Sequence, residues 1–222
     1  MILYVETNFI LELAYQQESA AYCEELLILA ESGAITLVVP AFSLLESRMS
    51  RELRAWKRTD LHNALVKEIS EVARTKYYAT LSDTSKDVMA AFVNSNEQDR
   101  LSLESILERI EKAAVVEPLE LGTNQAARTI EQSFGLSPQD SAVLASVLQH
   151  LGKTGAGQKI FLNKNKHDFA DPKIRKQLTD RGCDFHSSFA TGLYKTRAAL
   201  GLPHPPNQSV PGIKALKPKR SK

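Results

Sequence analysis

Short apolar runs alternate with longer amphipathic stretches along the chain, a pattern typical of strands and helices in turn. The predicted strands are residues 2–5, 35–39, 114–117, 159–162 and 184–186. The predicted helices are residues 9–15, 19–31, most of 42–110, 124–134, 138–151, 172–181 and 188–200. This alternation predicts a three-layer α/β/α fold with a central parallel sheet of about five strands.

The stretch between the second and third predicted strands is long, highly charged and mostly helical. Two sets of residues in it have helical spacing: Leu61, Leu65, Ile69 and Val72, then Leu103, Ile106, Leu107 and Ile110. Such stripes are typical of helices with one buried face. We therefore predict a domain over residues 1–187 in which residues 58–112 form an expanded helical insertion.

The end of the chain has a different composition. A C-terminal helix is predicted at residues 188–200, whereas residues 201–222 are rich in proline and basic side chains. Such a segment buries too little apolar surface to offset the cost of ordering it. We predict a basic, Pro-rich flexible tail over residues 201–222.

Composition and length narrow the class of protein. The chain has 222 residues, 43% of them hydrophobic, which suits one α/β domain with an elaboration. No apolar run approaches a membrane span, and the chain enters a strand-like run at once, so we expect no membrane partner and no signal peptide. Cys23 and Cys183 form no ligand pattern and are typical of reduced thiols, which predicts a cytoplasmic location.

The formal charge is unevenly distributed. Residues 1–150 carry 13 Lys/Arg and 22 Asp/Glu, a net −9, whereas residues 151–222 carry 15 and 4, a net +11. An acidic body with a basic last third suits a site in which acids hold a metal and basic residues hold phosphates. A basic tail that is simply solvated is the alternative.

Two acids occupy helix faces that are otherwise apolar. Asp140 follows Ser137 and Pro138, so capping the helix could explain it, but Val143, Leu144 and Val147 place it on the buried stripe. Glu46 has Phe42, Met49 and Leu53 on its own face, which predicts that it points to the core. An ion pair with Arg48 or Arg51 is the alternative for Glu46.

Two more acids follow predicted strands. Glu6 ends the first strand, where it could instead serve the start of the next helix, and Asp168 lies in the loop after the fourth strand, where it could be a turn residue. Ligands of open α/β sheets bind beyond the carboxyl ends of the strands. Glu6, Glu46, Asp140 and Asp168 together therefore predict a site for a hard divalent cation, Mg²⁺ or Mn²⁺.

Four short motifs resemble the PIN domain family in order and rough spacing over about residues 1–187. They are Glu6-Thr7-Asn8 after the first strand, Leu44-Leu45-Glu46 in the helix after the second, Asp140 in the segment 138–145 that opens a helix, and residues 163–169 after the fourth strand. The resemblance implies the PIN fold and a metal-dependent endonuclease. Its substrate would be single-stranded nucleic acid, usually RNA, with DNA left open.

The resemblance also implies roles for the acids. Asp140 and Glu6 would bind Mg²⁺ or Mn²⁺ directly. Glu46 and Asp168 would bind it through water or position the attacking water. Such an ion lowers the pKa of a bound water and neutralises charge on the phosphate.

Neighbouring polar residues have supporting roles in the same scheme. Asn8 and Asn165 would orient the acids, and Lys164 and Lys166 would contact the scissile phosphate. For a protein partner, the resemblance leaves an antitoxin or a homodimer open.

Two departures from the family pattern keep a second function open. Glu6 stands where the family usually has Asp, and Asn163 where it often has Thr or Ser. The alternative is a PIN-like binding module for nucleic acid or protein that no longer cleaves. An unrelated phosphate-processing enzyme would need a Gly-rich loop after the first strand, and Thr7-Asn8-Phe9 contains no glycine.

Overall fold

The chain forms a parallel five-stranded sheet with helices on both faces, as predicted. The computed structural model describes residues 1–169 and 171–203, apart from the side chains at positions 81 and 82, so the predicted flexible tail lies outside the described residues from position 204 on. The strands are β1 (Ile2–Tyr4), β2 (Thr36–Pro40), β3 (Ala114–Glu117), β4 (Lys159–Leu162) and β5 (Cys183–His186). Their order is β3-β2-β1-β4-β5, and every neighbouring pair is parallel.

Helices make up most of the rest of the described chain. They are α1 (Thr7–Ala14), α2 (Ala20–Glu31), α3 (Ala41–Ala73), α4 (Leu81–Thr84), α5 (Lys86–Ala113), α6 (Leu121–Phe134), α7 (Pro138–Lys153), α8 (Lys166–Phe169), α9 (Pro172–Thr179) and α10 (Phe189–Ala199). A single 3-10 turn at Lys76–Tyr78 precedes α4. No helix in the described ranges is both long and apolar enough to cross a membrane.

The predicted strand bounds differ from the observed ones by one residue at most. Pro40 was expected just beyond the second strand but is its last residue, pairing with Glu117 of β3. Proline lacks the backbone N–H donor but keeps its carbonyl acceptor, so it can be the last residue of a strand. Val5 lies just beyond β1, yet its N–H still donates to the carbonyl of Val38 at 3.1 Å.

The alternation of side chains along the strands divides the core between the two faces of the sheet. Leu3, Leu37 and Ile160 face one cluster, which α1, α2, α10 and the end of α5 complete. Tyr4 and Phe161 face the other, against α7 and α9. All four residues of β4 are buried, as expected of an internal parallel strand.

The α10 helix lies very close to β4. Gly192 of α10 faces Leu162, and a Cβ added to this glycine would overlap the leucine side chain. The absence of a side chain therefore permits the close approach.

The helical insertion predicted between the second and third strands is present as the paired helices α3 and α5 with α4 between them. We call residues 58–100 the helical arm, and none of its described side chains is fully buried. Arg58 and Asp99 join its two helices at 2.7 Å. The predicted stripe of the arm is only partly covered, since Leu61 is 47% and Val72 39% exposed.

Candidate active site

The fold brings the four predicted acids to the carboxyl edge of the sheet. Glu6 follows β1, Glu46 lies in the second turn of α3 after β2, and Asp168 lies in α8 after β4. Asp140 reaches the same edge from the first turn of α7. The charges are close enough to perturb one another: Glu46 and Asp140 raise the pKa of Glu6, and Asp168 raises that of Asp140.

Glu6 is the most buried of these acids, with 5% of its surface exposed. One carboxylate oxygen, Oε2, accepts a hydrogen bond from the backbone N–H of Asn8 at 2.9 Å, which caps α1. The other, Oε1, is buried and has no hydrogen-bond partner in the described part of the chain. Burial, and then the neighbouring acids, raise the Glu6 pKa from 4.5 to about 8, against the lowering effect of Asn8. A buried carboxylate with a free oxygen is suited to bind a cation or to keep a proton.

Glu46 is half-buried and accepts a hydrogen bond from the Thr7 hydroxyl rather than forming an ion pair with Arg48 or Arg51. Burial and the charge of Asp140 raise its pKa, and the Thr7 hydroxyl lowers it. The prediction that Glu46 points to the core was wrong, because its neighbours Met49 and Leu53 are 59% and 52% exposed. This face of α3 lines an open groove.

Asp140 combines the two roles that its sequence position suggested. Ser137 caps α7, accepting from the Asp140 N–H at 3.1 Å and donating its hydroxyl to Asp140 Oδ2 at 2.7 Å. Val143, Leu144 and Val147 on the same stripe are buried, and Asp140 itself is half-buried. Burial and the nearby carboxylate raise the Asp140 pKa, while the Ser137 bond opposes this.

The loop after β4 presents Asp168 through a chain of hydrogen bonds. The Asn163 side chain is buried, and its Oδ1 accepts from the backbone N–H of Asn165 at 2.7 Å. The Asn165 side chain in turn donates to Asp168 Oδ2. Asn165 therefore contacts Asp168 directly, and Asn163 supports Asn165, a contact that was not predicted.

The two lysines of this loop differ in their contacts. Lys164 forms an ion pair with Glu12 of α1, which is 2% exposed and whose other oxygen accepts from the Ser19 N–H at 2.7 Å. Lys166 is exposed at the start of α8. Sequence reasoning missed Glu12, although an acid between Leu11 and Leu13 in an apolar helix gave the same signal as Glu46.

The donor chemistry of the site suits a hard divalent cation. Carboxylate oxygens are the preferred ligands of Mg²⁺ and Mn²⁺, and Oε1 of Glu6 is a buried oxygen without a partner. Across the described residues, however, no three His, Cys, Asp or Glu side chains converge closely enough to hold a metal ion. The residues present therefore fit a hard cation in the chemistry of their donor atoms.

An apolar groove of about 650 Å³ extends from the acids along α3. Glu46 lies in its lining, together with residues of α3, α6 and α7 and the loop between β3 and α6: Phe42, Met49, Leu53, Leu119, Asn124 and Ala142. Apolar walls beside an acidic site can pack against flat aromatic rings that are not already stacked on other rings.

Comparison with known proteins identifies the family. The family model described as PIN domain matches residues 3–169, which include all four acids. Neither the curated proteins nor the solved structures gave a match. The parallel sheet, the flanking helices and this match over most of the chain agree with one another, and the chain belongs to the PIN domain family, whose fold is of the nuclease type.

Proposed function

We propose that this protein is a metal-dependent endonuclease that hydrolyses phosphodiester bonds of single-stranded nucleic acid, most often RNA. The observation that carries the proposal is the buried Glu6 carboxylate, whose Oε1 has no hydrogen-bond partner among the described residues and whose pKa is raised by burial and then by Glu46 and Asp140. Such a buried acid needs either a retained proton or a compensating positive charge. In a PIN domain that charge would be Mg²⁺ or Mn²⁺.

The proposed roles divide between binding the ion and preparing the water. Glu6 and Asp140 would hold the ion, which when bound makes water a better nucleophile and offsets the phosphate charge. Glu46 and Asp168 would accept hydrogen bonds from the attacking water and fix its direction. Thr7 and Asn165 each donate to one oxygen of these acids, which leaves the other oxygen for water.

A single-stranded substrate is supported by the groove beside Glu46. Its walls are apolar and include Phe42 and Met49, against which unpaired bases could pack next to the cleaved phosphate. In a duplex the faces of the bases are stacked on one another and cannot contact these walls. Lys166, which is exposed, is a proposed contact to the scissile phosphate. Lys164 would contact the same phosphate while it remains paired with Glu12.

The test is cleavage of end-labelled single-stranded RNA, structured RNA and single-stranded DNA, in Mn²⁺ or in EDTA. Asp140→Asn, purified in parallel, controls for contaminating nuclease. We expect cleavage of single-stranded RNA that needs Mn²⁺ and is lost in the variant. Equal cutting by both proteins, or none by either, would overturn the proposal.

A PIN-like binding module is the second candidate, and Glu6 is the observation that favours it. This residue is one methylene longer than the usual Asp and can shift the ion away from Asp140. Glu6→Asp separates the two candidates: cleavage that appears only in this variant would assign the natural protein to binding, whereas retained cleavage in both would support the nuclease.

Location and partners are also proposals. We propose a cytoplasmic protein, because Cys23 and Cys183 are both free and buried. A protein partner, whether an antitoxin or a second copy of the chain, could cover the apolar residues Leu45, Met49 and Trp56 on the exposed side of α3.

A further inference from the structure

A small polar pocket lies at the free edge of the sheet, beside β5 and outside the acidic site. Its volume is about 220 Å³, and its lining residues come from α9, β5 and α10: Arg175, Thr179, Asp184, Phe185, His186 and Lys195. The pocket is therefore larger than the space that a single water molecule needs, and it is open to solvent.

Basic side chains dominate this pocket, and they are not paired with acids. In the described part of the chain neither Arg175 nor Lys195 forms an ion pair, although the Arg175 guanidinium lies 5.5 Å from the Phe185 ring centre. His186 Nε2 is buried and has no hydrogen-bond partner among the residues that the structure describes. By contrast, Lys176 on the same helix pairs with Asp180 at 2.8 Å. Asp184 is the one acid in the lining, so the pocket favours an anion.

The pocket lies next to the acidic edge. The backbone carbonyl of His186 accepts from the N–H of Asn163 at 3.2 Å, and Asn163 supports the loop that presents Asp168. Because β5 neighbours β4 and β4 neighbours β1, two strand spacings of about 4.8 Å separate the end of β5 from the end of β1. A strand of nucleic acid that crosses this edge would therefore pass from the acids to the pocket over about two strand spacings.

We propose that the pocket lined by Arg175, His186 and Lys195 binds a backbone phosphate of the nucleic-acid strand that is cleaved at the acids. The guanidinium fork of Arg175 can bind two phosphate oxygens, and the ammonium of Lys195 adds a point charge. This inference rests on the proposed function. It adds that the strand continues from the groove beside α3 across β4 towards β5.

Binding of a short fluorescein-labelled single-stranded RNA, followed by anisotropy in EDTA so that no cleavage occurs, tests the pocket. Arg175→Glu and Lys195→Glu should each raise the Kd about tenfold and reduce the slope of log K against log salt by about 0.7 for the lost phosphate. Lys176→Glu is the matched control, with the same change of charge on the same exposed helix. It should change the Kd less than about twofold, because Lys176 lies outside the pocket.

Circular dichroism would confirm that the variants are folded, and cleavage in Mn²⁺ is measured in parallel to separate the two proposals. Wild-type affinity in both pocket variants, an equal loss in Lys176→Glu, or no RNA binding by the wild-type protein would overturn the pocket. If the wild-type protein still cleaves RNA in any of those cases, the nuclease proposal stands. Loss confined to the pocket variants, without cleavage by the wild-type protein, would support the pocket and overturn the nuclease.

Discussion

The apolar stripe at the end of α5 and the stripe in the helical arm have the same helical spacing and different surroundings. Leu103 and Ile110, at the end of α5, are 2% and 0% exposed and belong to the core against the sheet. Leu61 and Val72, in the helical arm, are 47% and 39% exposed. The difference teaches that helical spacing identifies a face that can be buried, whereas burial itself needs a further layer to cover that face.

The same contrast separates the chemistry of the two regions. The body contains the four acids, held half-buried or buried at the end of a rigid sheet, and their charges perturb one another. Apart from Asp99, which pairs with Arg58, the described acids of the arm are exposed, and water screens their charges. Changes in the body should therefore alter stability and activity strongly, and matched changes in the arm should do little.

The largest contrast should appear in the pH dependence of stability. The pKa of Glu6 is raised from 4.5 to about 8, so the folded state binds the Glu6 proton more tightly than the unfolded state does. The stability that this proton contributes is therefore complete below pH 4.5 and is lost as the pH rises to about 8. In EDTA, the free energy of unfolding should fall by on the order of 4 kcal/mol across that window. Urea unfolding of Glu6→Gln should remove this fall, whereas Glu68→Gln in the arm should keep it. A pH profile unchanged by Glu6→Gln would contradict the burial of a titrating carboxylate.

Truncation of one apolar side chain in each half of α5 would test the contrast in packing. Ile110→Ala should lower the free energy of unfolding by about 3 kcal/mol, since it opens a cavity beside the sheet. Val93→Ala should cost less than about 0.5 kcal/mol, because its side chain is already 56% exposed. Chemical denaturation of both variants measures the difference, and equal losses would show that the arm is packed like the body.

Removal of one charge on each half of α3 would compare the two regions in activity. Glu46→Gln should reduce cleavage of single-stranded RNA by about 10- to 100-fold, because the proposed water-positioning oxygen is lost. Glu68→Gln, on the same helix but in the arm, should cleave at the wild-type rate. Single-turnover cleavage in Mn²⁺ measures both variants, and full activity in Glu46→Gln would remove this residue from the site.

The smallest effect concerns the ion pair that joins the two helices of the arm. Arg58 bonds Asp99 at 2.7 Å and the Ser95 hydroxyl at 3.1 Å, with both charged side chains largely covered. Arg58→Ala should cost about 1 kcal/mol and increase protease cleavage within the arm. Arg74→Ala, which removes an exposed pair with Glu71, should cost about 0.3 kcal/mol or less. A loss of RNA cleavage in Arg58→Ala would show that the arm takes part in the reaction.

The architecture could be predicted from the sequence because the local signals for strands and helices agree with the fold. The strands at 114–117 and 159–162 have the predicted bounds, and Ser137 and Pro138 start α7 as their capping chemistry suggested. The arm is where pattern reasoning fell short. Its stripes were visible, but the number of layers covering them depends on how the helices are arranged in space.

For the candidate site, the sequence indicated which acids would meet but not what surrounds them. Strand ends in a parallel sheet share one edge, so Glu6 and Asp168 could be placed together from their positions alone. The hydroxyl of Thr7 on Glu46 and the pairing of Lys164 with Glu12 depend on tertiary contacts across many residues. The metal and phosphate roles of these residues remain predictions that the experiments above address.

The bond between Glu12 and Lys164 links two segments that are distant in sequence. Glu12 lies in the helix that Glu6 begins, and Lys164 lies in the loop that presents Asp168. Folding therefore fixes the first and last acids relative to each other before any substrate arrives, and little of the binding energy has to be spent on ordering the loop. The energetic cost of this preorganisation is the burial of one charge, that of Glu12, which has no proposed role in the chemistry.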